Sequence, residues 1–135
     1  MRIGELSART GVPAKTIRYY EDIALLPDPP RTAGGYRDYD RSAIGRLSFI
    51  RAGRSIGLSL GEIREIVGFR DRGENPCAHV SGLIELHAKD LAEHIAALEE
   101  MRMELIRLAG LARKPSGRRQ AAAAVCHIIE AARSA

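Results

Sequence analysis

The chain has no tryptophan, two cysteines and six aromatic residues among 135. Cys77 and Cys126 are too few to form the disulfide framework of a small secreted domain, and a single bridge between them is not expected in a reducing compartment. Taken alone, they read equally well as two small buried side chains. No apolar run approaches the roughly 18 residues that a membrane span requires. Residues 1–10 carry Arg2, Glu5 and Arg9 and lack the apolar stretch of a secretory signal. A cytoplasmic protein with no membrane partner is therefore expected. What is present is ordinary for a folded protein: 45% hydrophobic residues, with 13 glycines and 6 prolines to join several short elements by tight turns.

The charge is uneven. Residues 1–70 hold 12 Lys and Arg against 8 Asp and Glu, whereas residues 71–135 hold nine of each. All six aromatics also fall in the first stretch. A basic half with tyrosines beside arginines suits nucleic acid, whose phosphates supply much of the affinity.

Local signals divide the chain into helices. Ile3–Arg9 forms a short apolar-faced segment, followed by Gly11 and by Pro13, a good first helical residue. Pro13–Leu25 then sets Ile17, Tyr20, Ile23 and Ala24 on one face. Two short helices around a glycine turn make a helix-turn-helix pattern. After Pro27–Pro30, the stretch Arg31–Tyr39 contains Gly34-Gly35 between basic and tyrosine flanks. It reads as a small hairpin, a wing beside the second helix. Asp40 or Ser42 caps a third helix that ends near Gly57. Ser59 to Glu62 is a capping box, opening a fourth helix that runs to about Phe69. Residues 71–76 are a polar break.

Beyond the break, Val80, Ile84, His87, Leu91, His94, Leu98, Met101, Leu105, Leu108 and Ala112 recur in steps of three and four. This is a heptad seam. At 1.5 Å per residue its helix spans about 50 Å, too long to bury its stripe against a 70-residue domain, so a second copy is the simplest partner. His87 and His94 are expected to pack in that interface. A loop begins near Arg113, with a short helical piece at the end.

In this order the motifs resemble the MerR family: Ile3-Gly4-Glu5-Leu6, Thr16-Ile17-Arg18-Tyr19-Tyr20-Glu21, Leu25-Leu26-Pro27, Gly35-Tyr36-Arg37, and Gly57-Leu58-Ser59-Leu60. Ala24 stands where the family usually has glycine. The resemblance implies a mainly α fold. A winged helix-turn-helix domain (1–70) precedes a long antiparallel coiled-coil dimerisation helix (77–112), then an effector loop with a short helix (113–135). It implies a homodimer that binds promoter DNA, holds RNA polymerase there and activates transcription by distorting the DNA. The recognition helix would be Pro13–Asp22. Lys15, Thr16, Arg18, Tyr19 and Tyr20 would lie at the DNA, Tyr20 partly in the core. Arg31, Gly35, Tyr36 and Arg37 would place the wing on phosphate, with Arg54 a further contact.

The resemblance extends to the effector. Residues 113–135 are too few for the ligand domain of the family's drug sensors, and the four cysteines of its iron–sulfur sensors are lacking. Pro76-Cys77 looks like the family's sensors of divalent metals, and Cys126-x-Ile-Ile resembles the last cysteine of their metal loop. In an antiparallel pair, Cys77 of one chain would approach Cys126 of the other. Thiolates suit zinc, cadmium, lead or mercury, and His79 and His127 lie close enough in sequence to complete four ligands. The cysteine such sensors carry at the end of the long helix is missing, since that stretch reads Leu108 to Arg113 without one. The alternative is a regulator of the same fold whose thiols respond to oxidants or electrophiles. An enzyme is not expected: Cys126-His127 has no third, orienting group.

Overall fold

The computed structural model describes residues 1–133. Its described residues form seven helices and no strand: α1 (Ile3–Thr10), α2 (Ala14–Asp22), α3 (Arg41–Ser55), α4 (Leu60–Asp71), α5 (Cys77–Ala112), α6 (Gly117–Ala122) and α7 (His127–Glu130). They divide into two compact units, Met1–His87 and Ala88–Ala135, and α5 contributes to both.

The first unit is built on local stop and start signals. Gly11 closes α1 in the left-handed region at φ 72°, where glycine carries no Cβ penalty. Val12 is buried, and Pro13 precedes α2. α2 is shorter than its apolar spacing suggests and ends at Asp22. The reason lies in the turn that follows. The Leu25 N–H donates to the Tyr20 carbonyl and the Ala24 N–H to that of Glu21, with Ala24 left-handed at φ 58°. This is a Schellman termination, and it turns the chain so that Leu25 and Leu26 enter the core.

Asp40 caps α3 by accepting the Ser42 N–H at 2.9 Å. The capping box of α4 is present: the Glu62 N–H donates to Ser59 Oγ at 3.1 Å, and the Ser59 N–H to Glu62 Oε1 at 2.8 Å. α1 packs on α2 and α3, and α3 on α4. Leu6, Ile17, Leu25, Leu26, Leu47, Ile50 and Ile63 are fully buried between them, each contributing about 1.5–3 kcal/mol of transfer free energy. The start of α5 belongs to this body too, because Val80 and Leu83 pack against the same core. His87 Nε2 lies 2.9 Å from both carboxylate oxygens of Glu62. Seam position 87 thus reaches its own α4 and position 80 packs on the first unit's core, where the heptad pattern alone assigns both to a partner chain.

In the second unit, the rest of α5 buries none of its residues. Leu91, Met101 and Leu105 are each about 60% exposed. Arg102 pairs with Glu99, and Arg107 with Glu104, on its surface. No described helix is long and apolar enough to cross a membrane.

Candidate nucleic-acid interface and metal-binding residues

α2 presents a polar face because its apolar residues are spent on the core. Ile17 is fully buried and Tyr20 packs partly against it. Lys15 and Arg18 are exposed, Thr16 is half-buried, and Tyr19 is 50% exposed. Pro13 makes no side-chain cap at the helix start, and the first N–H groups of α2 meet no side chain among the described residues, so they remain available to an anion.

The wing is a tight loop held by its own backbone. Arg31 and Arg37 form one antiparallel bridge. Inside it the Gly35 N–H donates to the Thr32 carbonyl at 2.9 Å, and Gly35 takes φ 82°. Arg31 Nη1 donates to the Gly35 carbonyl at 3.0 Å, which braces the loop from one side. Tyr36 is 56% exposed, and the Arg2 guanidinium sits 4.3 Å from its ring centroid, a cation–π contact.

Arg37 is not a free cation. Its Nε donates to Glu21 Oε2 at 2.9 Å. The other oxygen of Glu21 accepts the Tyr39 hydroxyl at 2.7 Å. Burial, and then the Glu21 carboxylate, push the Tyr39 pKa upward, which keeps the phenol a donor. Arg54 is likewise engaged, donating from Nη1 to the Leu58 carbonyl at 3.0 Å across the α3–α4 turn. Three residues at this surface escape sequence reasoning: Arg2, Glu21, and Arg51, whose Nη1 donates to the Thr10 carbonyl beside Gly11. Only Glu21 leaves a trace in the sequence. It is an acid in the last turn of a helix, where the macrodipole disfavours it, but the exposed Asp22 beside it carries the same mark.

The four candidate metal ligands are distributed as follows. Cys77 opens α5, exposed, with its N–H on Asn75 Oδ1 at 2.9 Å. His79 lies two positions on, so the two side chains diverge by about 200° around the helix. Its ring is 5.0 Å from that of Phe69, and its Nε2, 3.5 Å from Glu65, makes no hydrogen bond among the described residues. Cys126 and His127 sit in the second unit, in a loop shaped by two side chains. The Glu130 carboxylate accepts the N–H groups of Ala124 and Val125 at 2.9 Å each and of Cys126 at 2.7 Å. These bonds, Val125 and Ala124 first, hold its pKa below the ordinary carboxylate value. Gln120 fixes the other side. Its Nε2 donates to the Val125 carbonyl at 3.0 Å, and its Oε1 faces the His127 N–H at 3.3 Å and His127 Nδ1 at 2.9 Å.

That orientation of Gln120 settles the tautomer of His127 in its neutral form. With the amide oxygen towards it, Nδ1 must carry the proton. Nε2 is then a bare lone pair, buried and without a hydrogen-bond partner among the described residues. An imidazole oriented through its far nitrogen is the usual arrangement of a histidine metal ligand, so His127 fits such a role. Among the described residues no three His, Cys, Asp or Glu side chains of one chain gather into a metal site.

Comparison with known proteins agrees with this architecture. Residues 1–68 match the family model described as MerR HTH family regulatory protein, and residues 44–108 match MerR, DNA binding. The chain is 36% identical over 108 residues to the HTH-type transcriptional regulator ZntR homolog of Haemophilus influenzae, covering 80% of each chain. The solved structure of the transcription regulator PbrR691 from Ralstonia metallidurans, in complex with lead(II), superposes with a TM-score of 0.78 at 34% identity, covering 96% of this chain and 97% of that one. The regulator MerR of Bacillus megaterium, in complex with mercury(II), gives 0.66 at 33% identity with the same coverage.

Proposed function

The chain belongs to the MerR family of DNA-binding transcriptional regulators, and from that premise we propose that it pairs on promoter DNA and activates transcription when it captures a divalent metal ion. Residues 1–70 read the DNA, 77–112 join two chains, and 113–135 complete the effector site. Such a regulator works in the cytoplasm with RNA polymerase as its partner.

On the DNA, Lys15, Thr16, Arg18 and Tyr19 line the exposed face of α2 and meet base edges and the adjoining backbone. Arg31, Gly35, Tyr36 and Arg37 set the wing on phosphate. Arg54, already bonded to the α3–α4 turn, reaches phosphate with its remaining donors. Each phosphate contact adds affinity and steepens its fall as salt rises.

The observation that carries the metal reading is the buried Nε2 of His127, which lies beside Cys126 and has no hydrogen-bond partner among the described residues. Cys77 of one protomer, with Cys126 and His127 of its partner, would hold the ion, and His79 is the fourth candidate. When bound, the ion supplies a cross-link between thiolates and imidazole of two chains. The chain's own part is to orient those donors: Gln120 directs His127, and Glu130 fixes the backbone that carries Cys126. A mixed sulfur and nitrogen set suits zinc, cadmium, lead or mercury.

The test is a titration of the reduced, metal-free dimer with each of these ions, followed by thiolate-to-metal absorbance and repeated on Cys77→Ser and Cys126→Ser. One or two ions per dimer, lost in both variants, supports the shared site. No tight binding removes it and leaves thiol oxidation as the reading to pursue.

A further inference from the structure

We infer that Glu21 is the positioning residue that fastens the wing to the recognition helix and aims Arg37 at the DNA backbone. The inference rests on the reading that Arg37 meets phosphate. Three observations carry it. The Glu21 side chain is 3% exposed, although it lies in the last turn of the helix proposed to enter the groove. Both its oxygens are engaged by the segment that follows the wing turn: Oε2 by Arg37 Nε at 2.9 Å, Oε1 by the Tyr39 hydroxyl at 2.7 Å. Tyr39 is itself anchored, because it is buried and its N–H and carbonyl bond to the carbonyl and ammonium of Met1.

The geometry divides the Arg37 guanidinium in two. Its Nε edge is committed to Glu21, and no hydrogen bond within the described residues occupies its terminal amino groups. A planar fork held at one edge has lost most of the freedom it would otherwise lose on binding. The wing's own ladder is short, one bridge pair flanked by the bonds from the Thr32 N–H to the Tyr36 carbonyl at 2.7 Å and from the Asp38 N–H to the Pro30 carbonyl at 2.8 Å, and Glu21 ties it to α2.

The sign of the effect separates this role from simple electrostatics. Glu21 is an acid beside a polyanion, so removing its charge should strengthen DNA binding by Coulomb's law alone. A positioning role demands the reverse. A merely structural role would lower thermal stability and leave the salt dependence of binding unchanged.

The experiment uses the full-length dimer and a duplex selected by the parent protein from a random-sequence pool. Affinity is measured against salt for the parent, Glu21→Gln, Glu21→Asp, Arg37→Ala and the double variant Glu21→Gln/Arg37→Ala, each first checked for cooperative melting. Arg37→Ala should reduce the slope of log K against log salt by about two, one phosphate for each half-site. Glu21→Gln should weaken binding and reduce the slope as Arg37→Ala does, and the double variant should lose no more than Arg37→Ala. Glu21→Asp keeps the charge but withdraws the carboxylate, and should show the same loss even if the glutamine variant does not fold. A slope preserved in Arg37→Ala overturns the phosphate reading. A slope lost in Arg37→Ala but kept in the folded Glu21 variants, or losses that add in the double variant, overturns the positioning role alone.

Discussion

Replacing Ala24 by glycine should make the protein more stable, an uncommon sign for a single substitution. Ala24 occupies the left-handed region at φ 58°, at the turn that ends α2. An L-residue there carries roughly 1–2 kcal/mol of steric strain, which glycine does not. Ala24 is exposed, so its methyl gives back little burial. Glycine costs about 0.4–1 kcal/mol through the added freedom of the unfolded chain. The difference favours Ala24→Gly by up to about 1.6 kcal/mol, centred on about 0.8 kcal/mol, which at its centre is a melting rise of roughly 2–4 °C for a chain of this size. The backbone bonds that define the turn, from Leu25 to Tyr20 and from Ala24 to Glu21, make no use of the side chain. DNA affinity should therefore stay unchanged. Melting followed by circular dichroism at one fixed protein concentration reads the effect, since dimer stability depends on concentration. Ala24→Val is the companion variant, because a branched side chain tolerates this region least, and it should melt below the parent. A glycine variant melting at or below the parent, or a valine variant equal to it, would refute the reasoning that strain resides at this residue.

Other outcomes follow from the same structure. A Cβ at Gly53 would meet Ile63 Cδ1 at 3.0 Å and Cγ1 at 3.1 Å; Gly53→Ala should cost about 1 kcal/mol net, overpacking exceeding the gain in helix propensity, and Ile63→Val in the same chain should recover part of it in urea melts. The pKa of Glu62 is lowered from 4.5, first by the Ser59 N–H and then by His87. A carboxylate with a depressed folded pKa stabilises above its ordinary value and stops doing so as pH falls through the depressed one. The stability advantage of the parent over Glu62→Gln should thus be full above 4.5 and fade below it, and an advantage that grows on acidification would contradict the assignment. Cys126→Ser should abolish metal-dependent activation in a promoter reporter while leaving DNA affinity near that of the parent. Loss of DNA binding in that variant would mark Cys126 as structural.

What the sequence discloses about this protein is what short-range chemistry decides. The start of α4 is legible because Ser59 and Glu62 satisfy each other's backbone within one turn. The start of α3 is legible because Asp40 needs only Ser42. The length of α5 follows from a periodicity sustained over 36 residues. The end of α2 is less legible, because the apolar spacing runs through Ile23 and Ala24 while the backbone has already turned. Sequence reasoning fails where one residue serves two patterns. His87 fits the heptad and also reaches Glu62, 25 positions earlier. The nearer contact prevails at that end of the helix because Val80 and Leu83 already bind it to the first unit's core. Gln120 is a polar residue in a loop with no motif of its own, yet through Val125 and His127 it determines which imidazole nitrogen is bare. Glu21 lies 16 and 18 positions from the two groups it joins, and no periodicity reaches that far. The family motif carries the whole Thr16-Ile17-Arg18-Tyr19-Tyr20-Glu21 run without distinguishing the residues that would touch DNA from the one that holds the wing. That separation needs burial: Arg18 is exposed and the Glu21 side chain is not, so one faces outward to a ligand and the other inward to the fold.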